Sequence, residues 1–279
     1  MPKPPVKQLL DEVEHRLAAL ARNIPEAERE RLRIYHGSNV PHLGLAVPVQ
    51  REALRRGYSF SGLPFGDQLP IWDAVWRDAQ HHEVKTQALY YCASRRKPDE
   101  LRQLWPVVQG WIETVDCWDT SDELSSIYAR ILEVDALAGQ VYAVLQSWNK
   151  SPNPWKRRQS ILSLLYYSRS RRSVLPAGKI FPLIEALLKD SDRFVQKAVG
   201  WALREAVIPY PAETEAFVRC HAQTLSSLAF TEATRKLSPA QRIEIVARRR
   251  AGRATSRKIP SCRYVVSRYP ICAICGMKH

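Results

Sequence analysis

The stretch VKQLLDEVEHRLAALA, residues 6–21, decides the fold class, because its apolar residues recur at steps of three and four. These residues are Val6, Leu9, Leu10, Val13, Leu17 and Leu20. Residues at this spacing lie on one face of an α-helix and leave the polar residues on the other face. The stretch therefore predicts an amphipathic helix.

Further segments with the same helical spacing follow along the chain, and no comparable series of alternating strand segments or Asn-Gly or Asp-Gly hairpin signals occurs. These segments are residues 67–79, 83–94, 99–115, 122–134, 136–148, 154–168, 179–190, 193–207 and 213–225. Asp99, Ser121 and Ser191 are candidate N-caps, and Pro154 suits a first helical turn. The sequence predicts an all-α fold, with residues 35–66 as its least regular part.

The lengths of the helices and of their connections favour a helical-repeat architecture. Helices of about 10–17 residues joined by short proline-bearing turns stack as antiparallel pairs, and pairs that recur every ~35–45 residues build a solenoid. Trp118, Trp155 and Trp201 follow one another loosely at that interval. We therefore expect a HEAT-like solenoid with a concave basic face, the alternative being an irregular helical bundle.

The charge of the chain is strongly basic and unevenly distributed. The 279 residues contain 42 Lys or Arg against 28 Asp or Glu, a formal net charge of +14. Residues 248–279 contain nine Lys or Arg and no acidic residue, and they lack an apolar stripe. We expect a helical domain over residues 1–247 and a flexible basic tail over residues 248–279.

The sequence contains no apolar run of about 18 residues, the length that a membrane-spanning helix requires. Acidic residues occupy the N-terminal positions where a secretory signal needs its apolar run. We therefore expect a soluble cytoplasmic protein, associated with the nucleoid in a prokaryote, that has no contact with membranes.

Three strings combine aromatic, acidic and basic residues at helical offsets. In WDTSDELSS, residues 118–126, Trp118 and Asp122 share a helix face. The second string, residues 153–158, places Trp155 before Lys156, Arg157 and Arg158 at a helix start, and the third aligns Lys197, Trp201 and Arg204 on one stripe. Tryptophans at helical spacing are also typical of a core, and Lys-Arg-Arg of a solvated face.

Together these strings resemble those of the AlkD family of DNA alkylation-repair glycosylases, which are built from HEAT-like repeats. The resemblance extends over about residues 30–240. It rests on Trp-Asp-x-x-Asp at residues 118–122, Asn-x-Trp-x-Arg-Arg at residues 153–158 and Lys-Ala-x-Gly-Trp-x-Leu-Arg at residues 197–204. The segment HGSNVPHLGLAVP, residues 36–48, departs from the family pattern, so the resemblance implies no contacts there.

The resemblance implies a role for each matching residue. It implies that Asp122 is the catalytic carboxylate and that Trp118 and Trp201 hold the damaged nucleotide. Arg158 and Arg204 match positions that grip phosphates, and Trp155, Lys156, Arg157 and Lys197 complete the expected DNA-binding set. A competing register places Trp111 and Asp116 in these roles, but its string lacks the Trp-Asp pair.

The chemistry of alkylated purines explains why a single catalytic carboxylate is sufficient. A purine alkylated at N7 or N3 is already cationic and leaves as a neutral base, so the enzyme needs to stabilise only the oxocarbenium charge on the sugar. The expected activity is base excision by a monomer acting on alkylated duplex DNA, without metal or redox cofactor. The alternatives are a non-catalytic paralogue that binds damaged or branched DNA and a HEAT-type scaffold for protein partners.

The tail contains a separate candidate site for a metal ion. Cys262, Cys272, Cys275 and His279 have spacings that a tetrahedral zinc ion accepts. The family resemblance does not extend to these residues, and a tail without bound metal is the alternative.

Overall fold

The computed structural model describes residues 4–166 and 173–254, with side chains through residue 251. All its regular elements in those ranges are helices, which confirms the predicted all-α fold. The described residues divide into two compact units, and the division falls after Leu137. None of the described helices is long and apolar enough to cross a membrane.

The first unit contains seven α-helices and one 3-10 helix. These are α1 (Val6–Leu20), α2 (Glu26–His36), α3 (Val47–Arg56), α4 (Phe65–Asp78), α5 (His82–Ala93), α6 (Pro98–Val108), the 3-10 helix Gln109–Thr114 and α7 (Trp118–Ile131). Helix α5 packs against α4 on one side and α7 on the other. The core includes the stacked rings of Trp76 and Trp111, which are 5.0 Å apart and almost fully buried.

Helix α8 (Asp135–Trp148) begins at the end of the first unit, and the other helices belong to the second. They are α9 (Pro154–Leu165), α10 (Ala177–Ala186), α11 (Arg193–Ala206), α12 (Pro211–Cys220), α13 (Ser227–Ala233) and α14 (Pro239–Ala254). Helix α11 is the centre of this unit, because α9 and α13 both pack on it. Gly200 permits the close approach of α13, since a Cβ at Gly200 would lie 2.6 Å from the Ala229 carbonyl oxygen.

Two helices lie in or beside the segment that the sequence predicts to be irregular. Helix α3 lies wholly within residues 35–66, and α2 ends at its start. No residue of α2 is buried, so the helix has no apolar stripe for periodicity to detect. Instead, Glu28 pairs with Arg31 and Glu30 pairs with Arg33, at the i and i+3 spacing that stabilises a helix.

The predicted helix starts are right at Pro154 and wrong at the three N-caps. Pro154 is the first residue of α9, and the Asn153 side chain before it accepts from the Trp155 amide. The cap of α11 is Asp192 rather than Ser191, because the Asp192 carboxylate accepts two amide hydrogens at the start of α11. Asp99 and Ser121 lie inside α6 and α7, which begin earlier.

The predicted boundary at residue 247 falls within α14, which continues to Ala254. Two residues tie this helix to the second unit: Ile245 is fully buried, and the Arg249 guanidinium donates to the carbonyl oxygens of Ala222 and Leu225. The zinc candidates Cys262, Cys272, Cys275 and His279 lie outside the described residues, so that site stays a prediction.

Acid is expected to destabilise the second unit through His221, which is buried against the Phe217 ring and lies 3.7 Å from a Glu185 oxygen. Burial lowers the pKa of His221 from 6.5 to about 4. Between these values the unfolded chain binds a proton that the folded chain excludes, so the free energy of unfolding falls as the pH falls. The loss from pH 6.5 to pH 4 is expected to be about 2–3 kcal/mol.

Urea unfolding of His221→Gln at pH 6.5 and pH 4.5 tests this expectation. The variant should lose less stability on acidification than the wild type. The matched control is His15→Gln, which replaces an exposed histidine of α1 and should retain the wild-type dependence on pH. An equal loss in all three proteins would contradict the assignment to His221.

Candidate functional site

Trp118 and Asp122 lie together at the start of α7. The chain is extended at Cys117, and α7 begins with Trp118, so residues 118 and 122 are one helical turn apart on the same face. Both side chains are half-buried. The sequence prediction that these two residues share a helix face is confirmed.

The end of α2 positions the Trp118 ring. The indole N–H donates to the Tyr35 carbonyl oxygen at 3.3 Å, and the Tyr35 ring meets the indole edge-on at 5.6 Å between centroids. The His36 ring contacts the same indole at 5.4 Å. Tyr35 itself is 64% exposed, so it extends the surface that Trp118 begins.

The residues of the competing register have other partners. Trp111 is fully buried, and its indole N–H donates to Asp73 at 2.7 Å, so it is a core residue. One Asp116 oxygen accepts from the Ser38 hydroxyl at 2.8 Å and from the Asn39 amide at 2.7 Å. These contacts favour a role of Asp116 in holding the loop after α2, and the choice of Asp122 as the catalytic carboxylate stays a prediction.

Three histidines form a cluster next to Trp118, which we call the histidine cluster: His36, His42 and His82. The rings of His42 and His82 are stacked at 4.1 Å, and His36 lies 5.1 Å and 5.3 Å from them. His82 Nε2 is 2.8 Å from the Asp119 carboxylate, which directly follows Trp118 in the sequence. The cluster thus connects α2, α5 and the first turn of α7.

The charges in the histidine cluster follow from burial and from Asp119. Burial alone would lower the pKa of His82, but the hydrogen bond to Asp119 and its charge raise it. Burial likewise opposes ionisation of Asp119, but the bond and charge of His82 hold its pKa well below the usual range. Burial, with the charge of His82, lowers the pKa of His42 to about 4. Burial also lowers the pKa of His36.

A buried carboxylate holds the loop that carries His42. Glu83 is 2% exposed and accepts the backbone amides of Leu43, Gly44 and Leu45 at 2.6–3.1 Å. A carboxylate that accepts three amides fixes the backbone that donates them. Glu83 therefore fixes the chain just after His42, at the start of the segment that leads into α3.

Trp201 lies on α11 in the second unit. Its half-buried ring stacks on Tyr166 at 5.3 Å, and the Arg204 guanidinium lies 5.9 Å from its centroid. Arg204 also pairs with Glu232 at 2.6 Å, and Lys197, one turn before Trp201, is exposed. These three predicted residues share α11, and their contacts with DNA stay a prediction.

The Asn-x-Trp-x-Arg-Arg string lies at the start of α9 and contacts the loop before α11. Trp155 packs on Phe194 at 5.1 Å, and Arg157 makes two bonds with Asp190 at 2.6 Å and 3.1 Å. Arg158 is only 4% exposed and donates to the Phe194 carbonyl oxygen at 2.7 Å. The string therefore joins α9 to the start of α11. A role of Lys156, Arg157 or Arg158 in gripping DNA stays a prediction.

The sequence reasoning missed the histidine cluster. His36, His42 and His82 come from two separated segments, and no spacing rule for metal or catalytic residues connects them. The one local signal for the cluster is Asp119, which lies in the Trp-Asp-x-x-Asp string. No role is assigned to Asp119 from the sequence. The prediction that Trp118, Asp122 and Trp201 serve one site joins the two units and stays a prediction.

Comparison with known proteins identifies one family and one solved structure of similar fold. The model of the family described as DNA alkylation repair enzyme matches residues 16–237. No curated protein matches the chain significantly. Among solved structures, a predicted DNA alkylation repair enzyme from Enterococcus faecalis has a similar fold, with a TM-score of 0.60 and 17% identity. The similarity covers 76% of this chain and 96% of that one.

Proposed function

We propose that this chain, which belongs to the family of DNA alkylation repair enzymes, is a DNA glycosylase. Its proposed substrates are cationic N7- or N3-alkylated purines in duplex DNA. The observation that carries the proposal is the placement of Asp122 one turn after Trp118 on the same face of α7. A carboxylate and an indole on one helix face are suited to a reaction whose transition state develops positive charge on a sugar.

The proposed reaction is hydrolysis of the bond between the deoxyribose C1′ and the purine nitrogen. The alkylated base leaves with the bonding electron pair and becomes neutral, so no acid is required to protonate it. The Asp122 carboxylate stabilises the oxocarbenium ion and orients the water that adds to C1′, while the water releases a proton. The products are the free base and an abasic site.

The two candidate tryptophans would act on the same positive charge. An indole face attracts a cation, and each such contact is worth about 0.5–2 kcal/mol. Trp118 is held for this task by the bond of its N–H to the Tyr35 carbonyl oxygen. In the proposal, Trp201 also holds the damaged nucleotide.

The net charge of the chain supports DNA as the partner. A formal charge of +14 attracts the phosphate backbone regardless of base sequence. On the second unit, the candidate DNA-binding residues are Trp155, Lys156, Arg157, Arg158, Lys197 and Arg204. Among them, Lys197 is exposed, whereas Arg158 is buried, so Lys197 is the better placed to reach a phosphate.

The proposal is tested by incubating the full chain with a duplex containing 7-methylguanine and measuring the free base by chromatography. The matched control is the same duplex with guanine in place of the lesion. We expect base release and abasic sites only with the lesion. Tight, salt-sensitive duplex binding without release would favour the non-catalytic DNA-binding paralogue, and absence of duplex binding would favour the protein scaffold.

Deleting residues 255–279 is expected to weaken the salt dependence of duplex binding. This deletion keeps α14 and its buried Arg249 and removes five Lys or Arg. Each phosphate that a protein cation neutralises adds about 0.9 to the slope of log affinity against log salt. A salt titration of both proteins measures the slopes, and equal slopes would exclude the tail from DNA binding.

A further inference from the structure

The histidine cluster has the composition of a metal site. His36 is the last residue of α2, His42 lies in the following loop, and His82 is the first residue of α5. One ring nitrogen from each lies within 4.8 Å of the other two. Imidazole nitrogens are ligands that zinc and neighbouring transition metals prefer.

Two of the rings are oriented by acceptors outside the cluster. His42 Nδ1 lies 3.0 Å from the Val40 carbonyl oxygen, which only accepts, so Nδ1 carries the hydrogen and Nε2 has the lone pair. His82 Nε2 donates to the Asp119 carboxylate at 2.8 Å. Histidines that bind a metal through one nitrogen characteristically donate the other N–H to a carbonyl or carboxylate. His42 and His82 both have this arrangement.

The remaining nitrogen of His82 is a buried polar atom that needs a partner. The His82 side chain is 3% exposed, and its Nδ1 has no hydrogen-bond partner in the part of the chain that the structure describes. Buried polar atoms are rarely left unpaired, because burial removes their bonds to water. A metal ion bound at Nδ1 supplies the missing partner.

His36 completes the set of three nitrogens. Its Nδ1 lies 2.8 Å from His42 Nε2, and its Nε2 lies 3.9 Å from the nearer Asp119 oxygen. Since His42 Nε2 has the lone pair, the His36 Nδ1–H donates to it in the metal-free protein, and a metal ion that binds His36 Nδ1 displaces this hydrogen. The His36 side chain is 18% exposed, which gives an ion a route from solvent.

Binding one ion requires a rearrangement of the rings. The planes of His42 and His82 are 6° apart, and two parallel rings cannot both direct an in-plane lone pair at one ion. The rings therefore turn out of their stack when they coordinate. Because the His36 ring touches Trp118, this movement is expected to change the surroundings of that indole.

A second group of potential ligands shares His82 but is less suitable. Cys117 and Asp119 each offer an atom within 4.8 Å of His82. The Cys117 thiol donates to Asp119 at 3.0 Å, and Asp119 also accepts from His82 at 2.8 Å. The members of this group are therefore already hydrogen-bonded to one another, whereas His82 Nδ1 is not.

We propose that His36, His42 and His82 bind a zinc ion through three imidazole nitrogens. Asp119 accepts the N–H of His82 and the Val40 carbonyl oxygen accepts the N–H of His42, which leaves His82 Nδ1 and His42 Nε2 for the ion. The ion fastens the end of α2 and the following loop to α5, beside Trp118. This inference does not depend on glycosylase activity, because it rests only on the geometry of the first unit.

The test is titration of the metal-free full chain with Zn²⁺, followed by calorimetry, and with Co²⁺, followed by its visible absorption. Both use the Cys272→Ser/Cys275→Ser background, because the tail contains the other candidate ligands. We expect one equivalent to bind, with a cobalt spectrum free of thiolate charge-transfer bands. Bound zinc is also expected to raise the melting temperature.

The neighbouring histidines His81 and His82 provide a matched pair of variants. His82→Gln removes a proposed ligand, whereas His81→Gln removes a partly exposed histidine that pairs with Glu14. We expect His82→Gln and His36→Gln to weaken zinc binding by more than about tenfold, and His81→Gln to leave it unchanged. Because His36 is partly exposed, His36→Gln is the variant that tests zinc binding by the cluster if His82→Gln does not fold.

Two results would overturn the proposal. The first is a protein without Cys272 and Cys275 that binds no zinc or cobalt at micromolar concentration. The second is a folded His36→Gln variant that binds zinc as tightly as the protein from which it was made. Either result identifies the cluster as a network of hydrogen-bonded histidines without a metal.

Discussion

Replacing Asp122 by asparagine is expected to slow the release of 7-methylguanine from duplex DNA by about 10²–10³-fold, the usual cost of removing one group that stabilises transition-state charge. Asparagine has nearly the same shape as aspartate and still accepts hydrogen bonds, but it carries no negative charge. The variant therefore removes the negative charge that would stabilise the oxocarbenium ion and keeps the shape of the side chain. Duplex affinity, measured separately, should remain close to that of the wild type.

The matched control for Asp122→Asn is Asp116→Asn, because Asp116 is the carboxylate of the competing register. Asp116 binds the Ser38 hydroxyl and the Asn39 amide, so its replacement is expected to loosen the loop after α2. A loss of a few-fold is the expected result. A large loss in Asp116→Asn together with wild-type rates in Asp122→Asn would transfer the catalytic role to Asp116.

The second large effect is expected from Gly200→Ala, which should destabilise the second unit by about 1–3 kcal/mol. In most helix interiors, replacement of glycine by alanine stabilises the helix by about 1 kcal/mol. At Gly200 the new methyl group would lie 2.6 Å from the Ala229 carbonyl oxygen and 2.8 Å from its Cα. Helices α11 and α13 must therefore separate, which loosens their packing.

Gly139→Ala is the matched control, because this glycine lies inside α8 and has nothing within 4 Å of an added Cβ. It should gain the ordinary benefit of alanine in a helix, about 0.5–1 kcal/mol. Urea unfolding of both variants measures the two free energies. A Gly200→Ala protein as stable as the wild type would mean that α11 and α13 do not pack as closely as described.

The helices that the sequence predicts correctly are those with an apolar face. Helix α11 is the clearest case, since Val195, Ala198, Val199, Ala202 and Leu203 follow the helical repeat and are all fully buried. Helix α2 is the opposite case, because no residue in it is buried and its charged side chains pair along the surface. Periodicity detects burial, so a helix without a buried face escapes it.

The same distinction separates the tryptophans. In the sequence, Trp118 differs from Trp111 by the aspartate that directly follows it, but this difference does not tell which of the two indoles is buried. The structure buries Trp111 against Trp76 and leaves Trp118 half-exposed against the end of α2. Which tryptophan joins the core depends on neighbouring helices, and that information is absent from the local string.

The sequence by itself determined the all-α class and the common face of Trp118 and Asp122, because both follow from the 3.6-residue repeat of a single helix. The three strings that resemble the family could also be found in the sequence alone, since each lies within one short segment. Only the tertiary structure shows that Arg158 is buried on α9, that α13 packs closely against Gly200, and that three histidines lie together beside Trp118. Each of these depends on contact between segments far apart in the chain, where side-chain packing rather than helical periodicity sets the neighbours.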